Sequence, residues 1–358
     1  MEDALVASEF SSLEEGYGTV SLAEYTLSIA SSGISWSTSG KAAGSCSMND
    51  LLGASAENVK GTPSLLLTAY TRKKAAGARK RVEYRLVCSF IEQAASAAEA
   101  ILNVLYGTES SRTQKRLVLI NPFGGGGKAP VVWRRLQAIL APSGLPFEVV
   151  QTTHAGHAQE MMQSLNLAEY RCVCTVSGDG LVYEVINGLM ARSEGKAALE
   201  QLPIAPVPGG TGNALWRSIC HEAHEHADIV GAAFILAKGQ PAPLDMWEYL
   251  RPATASGPEE RIGWSMLSLS WGIIADVDLE SEVLRFLGAL RNTIYAIWRI
   301  VSLRKYGATL EYLDAETDQW VTVEANKCVR PPAREAFGTS ARVRCPVPLD
   351  DCHLLTWW

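Results

Sequence analysis

The sequence lacks several features that would assign it to a well-known class. It has no uncharged run of 18 apolar residues, so it offers no candidate for a membrane-spanning helix. It has no long basic run and carries a net charge of −6, which argues against nucleic acid as the main partner. The acidic start MEDALVASEF lacks a basic region followed by an apolar stretch, so it does not resemble a secretory signal. These absences predict a cytoplasmic globular protein.

Paired metal-ligand spacing is also missing. The eight cysteines are scattered and favour reduced, packed thiols over zinc or disulfides. His221, His224 and His226 lie in HEAHEH, which is not HExxH, and on a helix they would be spread around its surface. We therefore predict no protein ligand for a metal.

Six basic residues predict either a solvated loop or a surface for anionic lipid headgroups: Arg72, Lys73, Lys74, Arg79, Lys80 and Arg81.

What is present is enough apolar sequence for more than one core. Of the 358 residues, 47% are apolar and 20% charged, and single cores rarely exceed about 250 to 300 residues. Short β-rich runs and an Ala-rich helix at 91–106 predict a first, β-rich domain over residues 1–110. Residues 239–358 are again strand-rich, including WSMLSLSWGIIADVD, with a helix near 281–303 and a strand near 308–313. They predict a second, mainly antiparallel, β-rich lobe.

Between these regions, residues 116–238 alternate apolar runs with amphipathic segments. The runs RLVLIN, FEVVQ, CVCTVS and PIAPV are separated by predicted helices near 129–141, 155–166 and 180–192. Strands joined by crossover helices form parallel sheets. The fold class predicted is therefore α/β, a three-layer nucleotide-binding domain with a parallel sheet.

The first glycine motif, NPFGGGGK at 121–128, lies between a predicted strand and a predicted helix, where backbone N–H groups can approach a phosphate. Pro122 and Ala129 stand where a Walker A loop needs Gly and Ser or Thr. Gly124, Gly126 and Ala129 do fit GxGxxA, so a nicotinamide oxidoreductase is an alternative. That alternative leaves the next two motifs unexplained.

Two further motifs follow at the ends of strands. In SGDG at 177–180, Asp179 can take a proton from a hydroxyl nucleophile or organise Mg²⁺ around a triphosphate; the simpler interpretation is that it caps the following helix. Glu184, one turn later, can face the same crevice. PGGTGNAL at 208–215 supplies a third glycine turn. All three turns are predicted at the carboxyl edge of one sheet, where open α/β folds bind ligands.

In this order, NPxGGGGK, SGDGxxxExxNGL and PGGTGNAL resemble the catalytic domain of diacylglycerol and sphingosine kinases, over roughly residues 116–313. The resemblance implies ATP and Mg²⁺ as cofactors and Asp179 as the base that accepts the lipid hydroxyl proton. It implies that the nucleotide is held by Asn121, Pro122, Phe123, Gly124, Gly125, Gly126, Lys128, Thr152, Thr153, Gly156, Glu184, Gly210, Thr211, Gly212, Asn213, Arg285 and Arg291.

The segment LSLSWGIIADVDLESE at 267–282 resembles the sphingosine kinase branch more than the ceramide or diacylglycerol branches. A sphingoid base carries an ammonium on a long tail, so its site needs a carboxylate beside an apolar tunnel. The apolar helix that follows predicts either a core helix or a wall of that tunnel. The residues implied for substrate binding are Ser177, Gly178, Gly180, Ser268, Asp276 and Asp278.

The resemblance also implies membrane contact and leaves alternatives open. Several relatives carry a pleckstrin-homology-like membrane module where residues 1–110 stand, which implies peripheral association with intracellular or plasma membranes. A ceramide or diacylglycerol kinase would not need Asp278, because those headgroups carry no cation. The chain ends at CHLLTWW without the late acidic DGE-type motif of the family. The resemblance therefore implies that residues 239–358 are a partial, β-rich lipid-binding lobe, truncated in comparison with the family, and an inactive lipid-binding fragment is a third alternative.

Overall fold

The computed structural model describes residues 18–74, 77–210, 212–251, 258, 260–267, 269–270, 273–287, 290–302, 308–313, 319–325 and 355–356. Its contacts divide the chain into two compact units with the boundary between Pro243 and Leu244. Within the described ranges, no helix is both long enough and apolar enough to cross a membrane. The division into three domains remains a prediction.

The first unit begins with two antiparallel sheets. Their strands follow chain order in each sheet: β1 Gly18–Ser21, β2 Thr26–Ala30, β3 Gly33–Thr38 and β4 Lys41–Ser47 in one, and β5 Leu51–Val59, β6 Thr62–Thr71 and β7 Lys80–Val87 in the other. Two tight hairpins use residues with positive φ, at Ser39–Gly40 and Lys60–Gly61. Such pairs match the twist of the flanking strands.

Helix α1, Ile91–Tyr106, closes this β-rich region, and a short helix α2, Glu109–Thr113, follows it. The side chain of Gln93 accepts from the backbone N–H of Phe90 at the start of α1, and α1 ends before Gly107, whose φ is 88°. A buried alanine face lets the helix approach the sheets closely, since small side chains leave little space between backbones. The helix predicted at 91–106 is confirmed.

A four-stranded parallel sheet forms the rest of the first unit, in the order β11-β10-β8-β9. The strands are β8 Lys115–Ile120, β9 Phe147–Gln151, β10 Tyr170–Ser177 and β11 Ile204–Pro208, and the helices are α3 Ala129–Leu140, α4 His157–Ser164, α5 Asp179–Met190, α6 Gly195–Gln201, α7 Ala214–Glu222 and α8 Ile229–Lys238. Separate hydrophobic clusters contain the side chains of α3, α7 and α8 and those of α4, α5 and α6. The predicted three-layer α/β domain is confirmed.

Strands β8 and β10 are buried almost along their whole length. A strand covered by helices on both faces reads as a continuous apolar run, which is why these strands were recognisable in the sequence. Cys172 and Cys174 lie within this buried sheet, and burial raises the pKa of the Cys172 thiol to about 11. Both thiols are packed in the core, as the sequence predicted, and a raised pKa disfavours the thiolate form.

Buried charges join the N-terminal sheets to the parallel-sheet region. The Arg79 guanidinium donates to both carboxylate oxygens of Glu225, at 2.7 and 2.9 Å, and to Asp50 at 2.9 Å. It also lies 3.9 Å above the ring of Phe234. Arg72 donates to the backbone oxygen of His224 at 2.8 Å. The prediction that all six basic residues form a solvated loop or a lipid-binding surface is therefore wrong for Arg79. Its guanidinium is enclosed by two carboxylates, so the headgroup of a lipid cannot reach it.

The histidine-rich segment also differs from its prediction. Helix α7 ends at Glu222, and His224 adopts a left-handed φ of 52°. The three histidines are therefore not spread around one helix. Glu225 leaves the helix to meet Arg79, and this tertiary ion pair could not be inferred from local spacing.

In the residues of the second unit that the structure describes, the strands form two-stranded pairs, and two α-helices are joined by a 3-10 helix. Its elements are β12 Trp247–Arg251, β13 Glu260–Ser265, β14 Leu269–Ser270, α9 Ile273–Glu280, a 3-10 helix Ser281–Leu287, α10 Leu290–Ser302, β15 Ala308–Leu313, β16 Trp320–Ala325 and β17 Leu355–Thr356. The strand-like interpretation of WSMLSLSWGIIADVD is wrong from Ile273 onward, where the chain is helical. Asp276 in the first turn of α9 favours this, since acidic residues stabilise a helix N-terminus.

Candidate functional site

The carboxyl ends of the four parallel strands form one edge of the sheet. The loops that leave them are residues 121–128 after β8, 152–156 after β9, 177–180 after β10 and 209–213 after β11. Backbone bonds continue the sheet into these loops: Thr152 donates to Ile120 at 2.9 Å, and Gly209 donates to Ser177 at 3.0 Å. The structure therefore brings the predicted nucleotide loops together at one edge.

The three glycine turns pack directly against one another. A Cβ on Gly125 would lie 2.3 Å from the backbone oxygen of Gly209, and a Cβ on Gly210 would lie 2.3 Å from the backbone nitrogen of Gly178. A Cβ on Gly178 would lie 2.6 Å from the oxygen of Gly212. Side chains at these positions would force the turns apart, so the glycines are required by tertiary contact as well as by any ligand.

The first turn has an unusual backbone. Gly125, Gly126 and Gly127 have φ values of 60°, 70° and 83°, in the left-handed region that favours glycine. Asn121 supports the turn, because its side-chain oxygen accepts from the N–H of Phe123 at 3.0 Å. Helix α3 starts two residues after the turn, and Lys128 between them is exposed. Backbone N–H groups, a helix N-terminus and a cation are thus adjacent, which suits an anion.

Asp179 is buried, with 4% of its surface exposed, at the first position of α5. Its carboxylate oxygens accept from the backbone N–H groups of Ala214 at 2.8 Å and Leu215 at 3.2 Å. The carboxylate therefore caps α7 rather than the helix that follows it, and this corrects the simpler interpretation of SGDG. The two bonds fix its orientation and link the second glycine turn to the third.

Glu184 makes a similar connection one turn later on α5. Its carboxylate accepts from the backbone N–H of Ala158, in the first turn of α4, at 3.2 Å. This ties α5 to the loop that contains the predicted residues Thr152, Thr153 and Gly156. Gly156 has a φ of 85° and precedes α4. Glu184 thus holds the loop through a backbone group, so its predicted contact with nucleotide is not needed to explain its position.

Asn213 shapes the third turn from within. Its amide donates to the backbone oxygen of Gly210 at 2.7 Å and accepts from the N–H of the same residue at 3.4 Å. Thr211 lies outside the described residues. Ser177 is buried at the end of β10, and a Cβ on Gly124 would lie 3.1 Å from its hydroxyl. These residues build the turns, which leaves the backbone N–H groups as the natural ligand contacts.

The remaining predicted residues belong to the second unit. Asp276 and Asp278 are both on α9, and Arg291 is the second residue of α10. Asp276 is buried, with 1% of its surface exposed, and forms an ion pair with Arg299, in which Nε lies 3.3 Å from Oδ2. Ser268 and the side chain of Arg285 lie outside what the structure describes. The binding roles of these residues stay predictions.

A protein-built metal cage is not found in the described part of the chain, where no three His, Cys, Asp or Glu residues cluster. The two carboxylates of α5 that face the loops, Asp179 and Glu184, each accept backbone N–H bonds. Mg²⁺ is often held by few protein groups and mainly by substrate phosphates and water. The donor set fits that arrangement better than a resident metal.

Two supporting residues were missed by sequence reasoning. Arg192 donates through Nη1 to the backbone oxygens of Met162, Gln163 and Leu165, which secures the C-terminal end of α4. Arg299 pairs with the acidic residues of α9. No local pattern indicates either role, because each arginine meets its partners about 20 to 30 positions away in the chain.

Known proteins are similar to the part of the chain that forms this edge. Residues 115–249 match the model of the diacylglycerol kinase catalytic domain. The chain is 39% identical to sphingosine kinase 1 of Mus musculus over 207 residues, which cover 56% of this chain and 52% of that protein. It is 33% identical to sphingosine kinase 1 of Arabidopsis thaliana over 205 residues, which cover 57% and 41%. Residues 115–249 are thus similar to a diacylglycerol kinase catalytic domain, and the chain is similar to sphingosine kinases over a little more than half of its length.

The matched region, residues 115–249, contains the whole edge described above. The predicted resemblance to diacylglycerol and sphingosine kinases is confirmed. The chain spans about half the length of the curated relatives that it matches first. A crystal structure of a diacylglycerol kinase from Bacillus anthracis str. Sterne aligns with a TM-score of 0.39 at 18% identity, over 60% of this chain and 61% of that one.

Proposed function

We propose that the chain is an ATP-dependent lipid kinase that transfers the γ-phosphoryl group to the primary hydroxyl of a sphingoid base, giving sphingosine 1-phosphate. One observation carries the proposal: three glycine turns pack together at the strand-end edge with the carboxylate of Asp179 fixed between two of them. The sphingosine kinase relatives support the choice of reaction.

The nucleotide would be held mainly by backbone groups. The left-handed glycines of residues 125–127, the N-terminus of α3 and the exposed Lys128 offer positive potential to phosphates. The loops at 152–156 and 209–213 would hold the rest of ATP. Magnesium would arrive as part of the Mg–ATP substrate, with the phosphates supplying most of its ligands.

Asp179 would accept the proton of the lipid hydroxyl. A carboxylate has about four lone-pair sites, and the two backbone donors of α7 occupy two of them. The hydroxyl oxygen attacks the γ-phosphorus, its proton passes to the carboxylate and the bond to the ADP oxygen breaks. Fixing the carboxylate in advance avoids the cost of orienting it during the reaction.

The choice of a sphingoid base over a neutral lipid rests on the acidic helix α9. An ammonium in an apolar site needs a carboxylate, and Asp278 is the candidate that the resemblance implies. Ceramide and diacylglycerol carry no such cation. The names of relatives extend the support, since a protein of Saccharomyces cerevisiae that is 31% identical over 219 residues is called sphingoid long chain base kinase 5.

The lipid substrate would be drawn from a membrane surface, with the chain in the cytoplasm and peripherally bound to intracellular or plasma membranes. Four exposed basic residues, just after the end of β6 and at the start of β7, would contribute to anionic headgroup binding: Lys73, Lys74, Lys80 and Arg81. Each such charge contributes about 1 kcal/mol near an anionic surface.

The test is transfer of labelled phosphate from ATP to sphingosine in detergent micelles by the full chain. The variant Asp179→Asn is compared with Asp228→Asn, a matched control, because Asp228 also accepts two backbone N–H bonds, at the start of α8. Asn caps a helix about as well as Asp, so Asp228→Asn should change stability little, whereas Asp179→Asn loses one of its two accepting oxygens and should lose about 1 kcal/mol. Only Asp179→Asn should also lower kcat, by at least about a hundredfold.

Three results would speak against the proposal. Equal kcat losses in both variants would mean that Asp179 is only a helix cap. Phosphorylation of ceramide or diacylglycerol in preference to sphingosine would assign a neutral lipid. Sphingosine binding without any transfer by the wild-type chain would identify an inactive lipid-binding protein.

A further inference from the structure

An ion-pair cluster joins the two helices of the second unit. On α9, Asp276 and Glu280 are four residues apart and therefore share one face. Arg299 on α10 pairs with both: its Nε lies 3.3 Å from Asp276, and its Nη2 donates to Glu280. Tyr295, one turn earlier on α10, hydrogen bonds to Glu280 as well, and this bond raises the pKa of the Tyr295 phenol.

A second contact locks the same helices where the chain turns between them. Ser281, which is fully buried, lies 3.1 Å through its hydroxyl from the side-chain oxygen of Asn292. The same hydroxyl lies 3.4 Å from the backbone oxygen of Asp278. The direction in which α9 presents its side chains is thus set by α10.

The two aspartates of α9 point in opposite directions. Each residue of a helix turns by about 100°, so Asp278 is about 200° around the axis from Asp276. Asp276 is almost completely buried against Arg299, whereas Asp278 is half-buried. A buried carboxylate already paired with a guanidinium cannot also turn toward the ammonium of a lipid without leaving the arginine unpaired.

We propose that Arg299 is a positioning residue for substrate binding: by holding Asp276 and Glu280 it fixes α9 so that Asp278 alone meets the sphingoid ammonium. This inference rests on the proposed function and revises one predicted contact, because Asp276 becomes an anchor for Arg299 rather than a ligand. Arginine suits the task, since its planar group can donate to two carboxylates at once and a lysine ammonium is a single point charge.

The experiment uses the full chain with the variants Asp276→Asn, Arg299→Gln, the double variant of these two, Arg299→Lys and Asp278→Asn. Equilibrium binding of labelled sphingosine in micelles is measured together with KM for sphingosine, kcat and KM for ATP. Displacement of a binding group by about 1 Å can cost up to about a hundredfold. Asp278→Asn should weaken sphingosine binding most.

Asp276→Asn and Arg299→Gln should each weaken sphingosine binding by about tenfold, with kcat and KM for ATP nearly unchanged. The double variant should bind sphingosine no more weakly than Arg299→Gln alone, because Arg299→Gln already removes the ion pair with Asp276 together with the one to Glu280. Arg299→Lys should lie between wild type and Arg299→Gln. A general loss of structure would instead change KM for ATP and kcat together.

The proposal is overturned if the two single effects multiply in the double variant, or if Asp276→Asn matches Asp278→Asn while Arg299→Gln binds normally. Either result would make Asp276 a direct ligand. Sphingosine binding without turnover would contradict the kinase function and still measure the positioning role. Absence of sphingosine binding by the wild-type chain would overturn both.

Discussion

The strand-end edge of the first unit and the helix pair of the second unit are built in different ways. At the edge, the close contacts are between backbone atoms, and glycines at 125, 178 and 210 permit them. In the helix pair, charged side chains fix the geometry, with Arg299 between Asp276 and Glu280. The first construction leaves a strong sequence pattern, and the second leaves almost none.

This difference matches the two ligands proposed. A nucleotide presents phosphates that many backbone N–H groups can recognise, so its site tolerates few side chains. A lipid headgroup with one ammonium needs a single carboxylate in the correct direction, so its site depends on how one helix is held. On the proposed function, the glycine motifs hold the nucleotide and the ion pairs of the second unit favour the choice of lipid.

The largest expected effect on stability concerns a buried ion pair, that of Arg79 in the first unit. Arg79→Met should lower the free energy of unfolding by about 3 kcal/mol, because buried Glu225 loses its hydrogen bonds to Arg79 and keeps the longer ion pair with Arg72, at 3.5 Å. Urea denaturation measures the change. Arg85→Met is the control, since Arg85 pairs with Glu57 at 3.3 Å on the surface and should change stability by less than about 1 kcal/mol. Equal effects would mean that burial does not govern these pairs.

The next largest effect concerns the close backbone contacts between the glycine turns. Gly125→Ala places a Cβ 2.3 Å from a backbone oxygen at a left-handed φ of 60°. Gly144→Ala has a similar φ of 66° with nothing within 4 Å, so it carries the strain without the clash. The first variant should lose about 1 to 3 kcal/mol more stability than the second, and only the first should weaken ATP binding. Calorimetric titration with Mg–ATP measures the affinity. An unchanged ATP affinity in Gly125→Ala would contradict the proposal that the glycine turns bind the nucleotide.

The smallest effect concerns pH. Burial, followed by the charge of Arg79, lowers the pKa of Lys238 from 10.5 to about 8. Between about pH 8 and 10.5 the unfolded chain holds a proton that the folded chain has released, so stability should rise with pH across this range. Lys238 donates to the backbone oxygen of Met48 at 2.6 Å, a bond that a neutral amine can keep.

Urea denaturation at pH 7.5 and 9.5 should therefore show wild type gaining stability relative to Lys238→Met. The difference between the two proteins removes the contribution of other titrating groups. A constant difference, or a loss at high pH, would contradict the lowered pKa.

Much of the first unit could be predicted because its signals are local. The helix at 91–106 and the alternation of strands and helices after residue 115 follow from periodicity, and the glycine turns follow from motif and position. The capping of α7 by Asp179 could not be predicted, because the accepting carboxylate and the donating N–H groups are 35 residues apart. Backbone donors have no sequence signature.

The fold of the second unit is harder to predict from the sequence, because it too depends on contacts between residues that are distant in the chain. Apolar and β-branched residues around Ile273 favoured a strand, yet the segment is a helix whose acidic face meets Arg299 of α10. Only the tertiary contact shows that Asp276 and Asp278 have different surroundings. Likewise, Arg79 belongs to a cluster of basic residues in the sequence, which favours an exposed position. In the fold, Glu225 and Asp50 surround its guanidinium.

The central claim is that ATP lies on the strand-end edge, held by backbone groups. Hydrogen–deuterium exchange of the full chain with and without Mg–ATP tests this most directly, because it reports on the N–H groups themselves. The account predicts slower exchange in residues 121–128, 152–156 and 209–213, and no such change with NAD⁺. Protection by NAD⁺ instead, or protection by ATP confined to other segments, would contradict it.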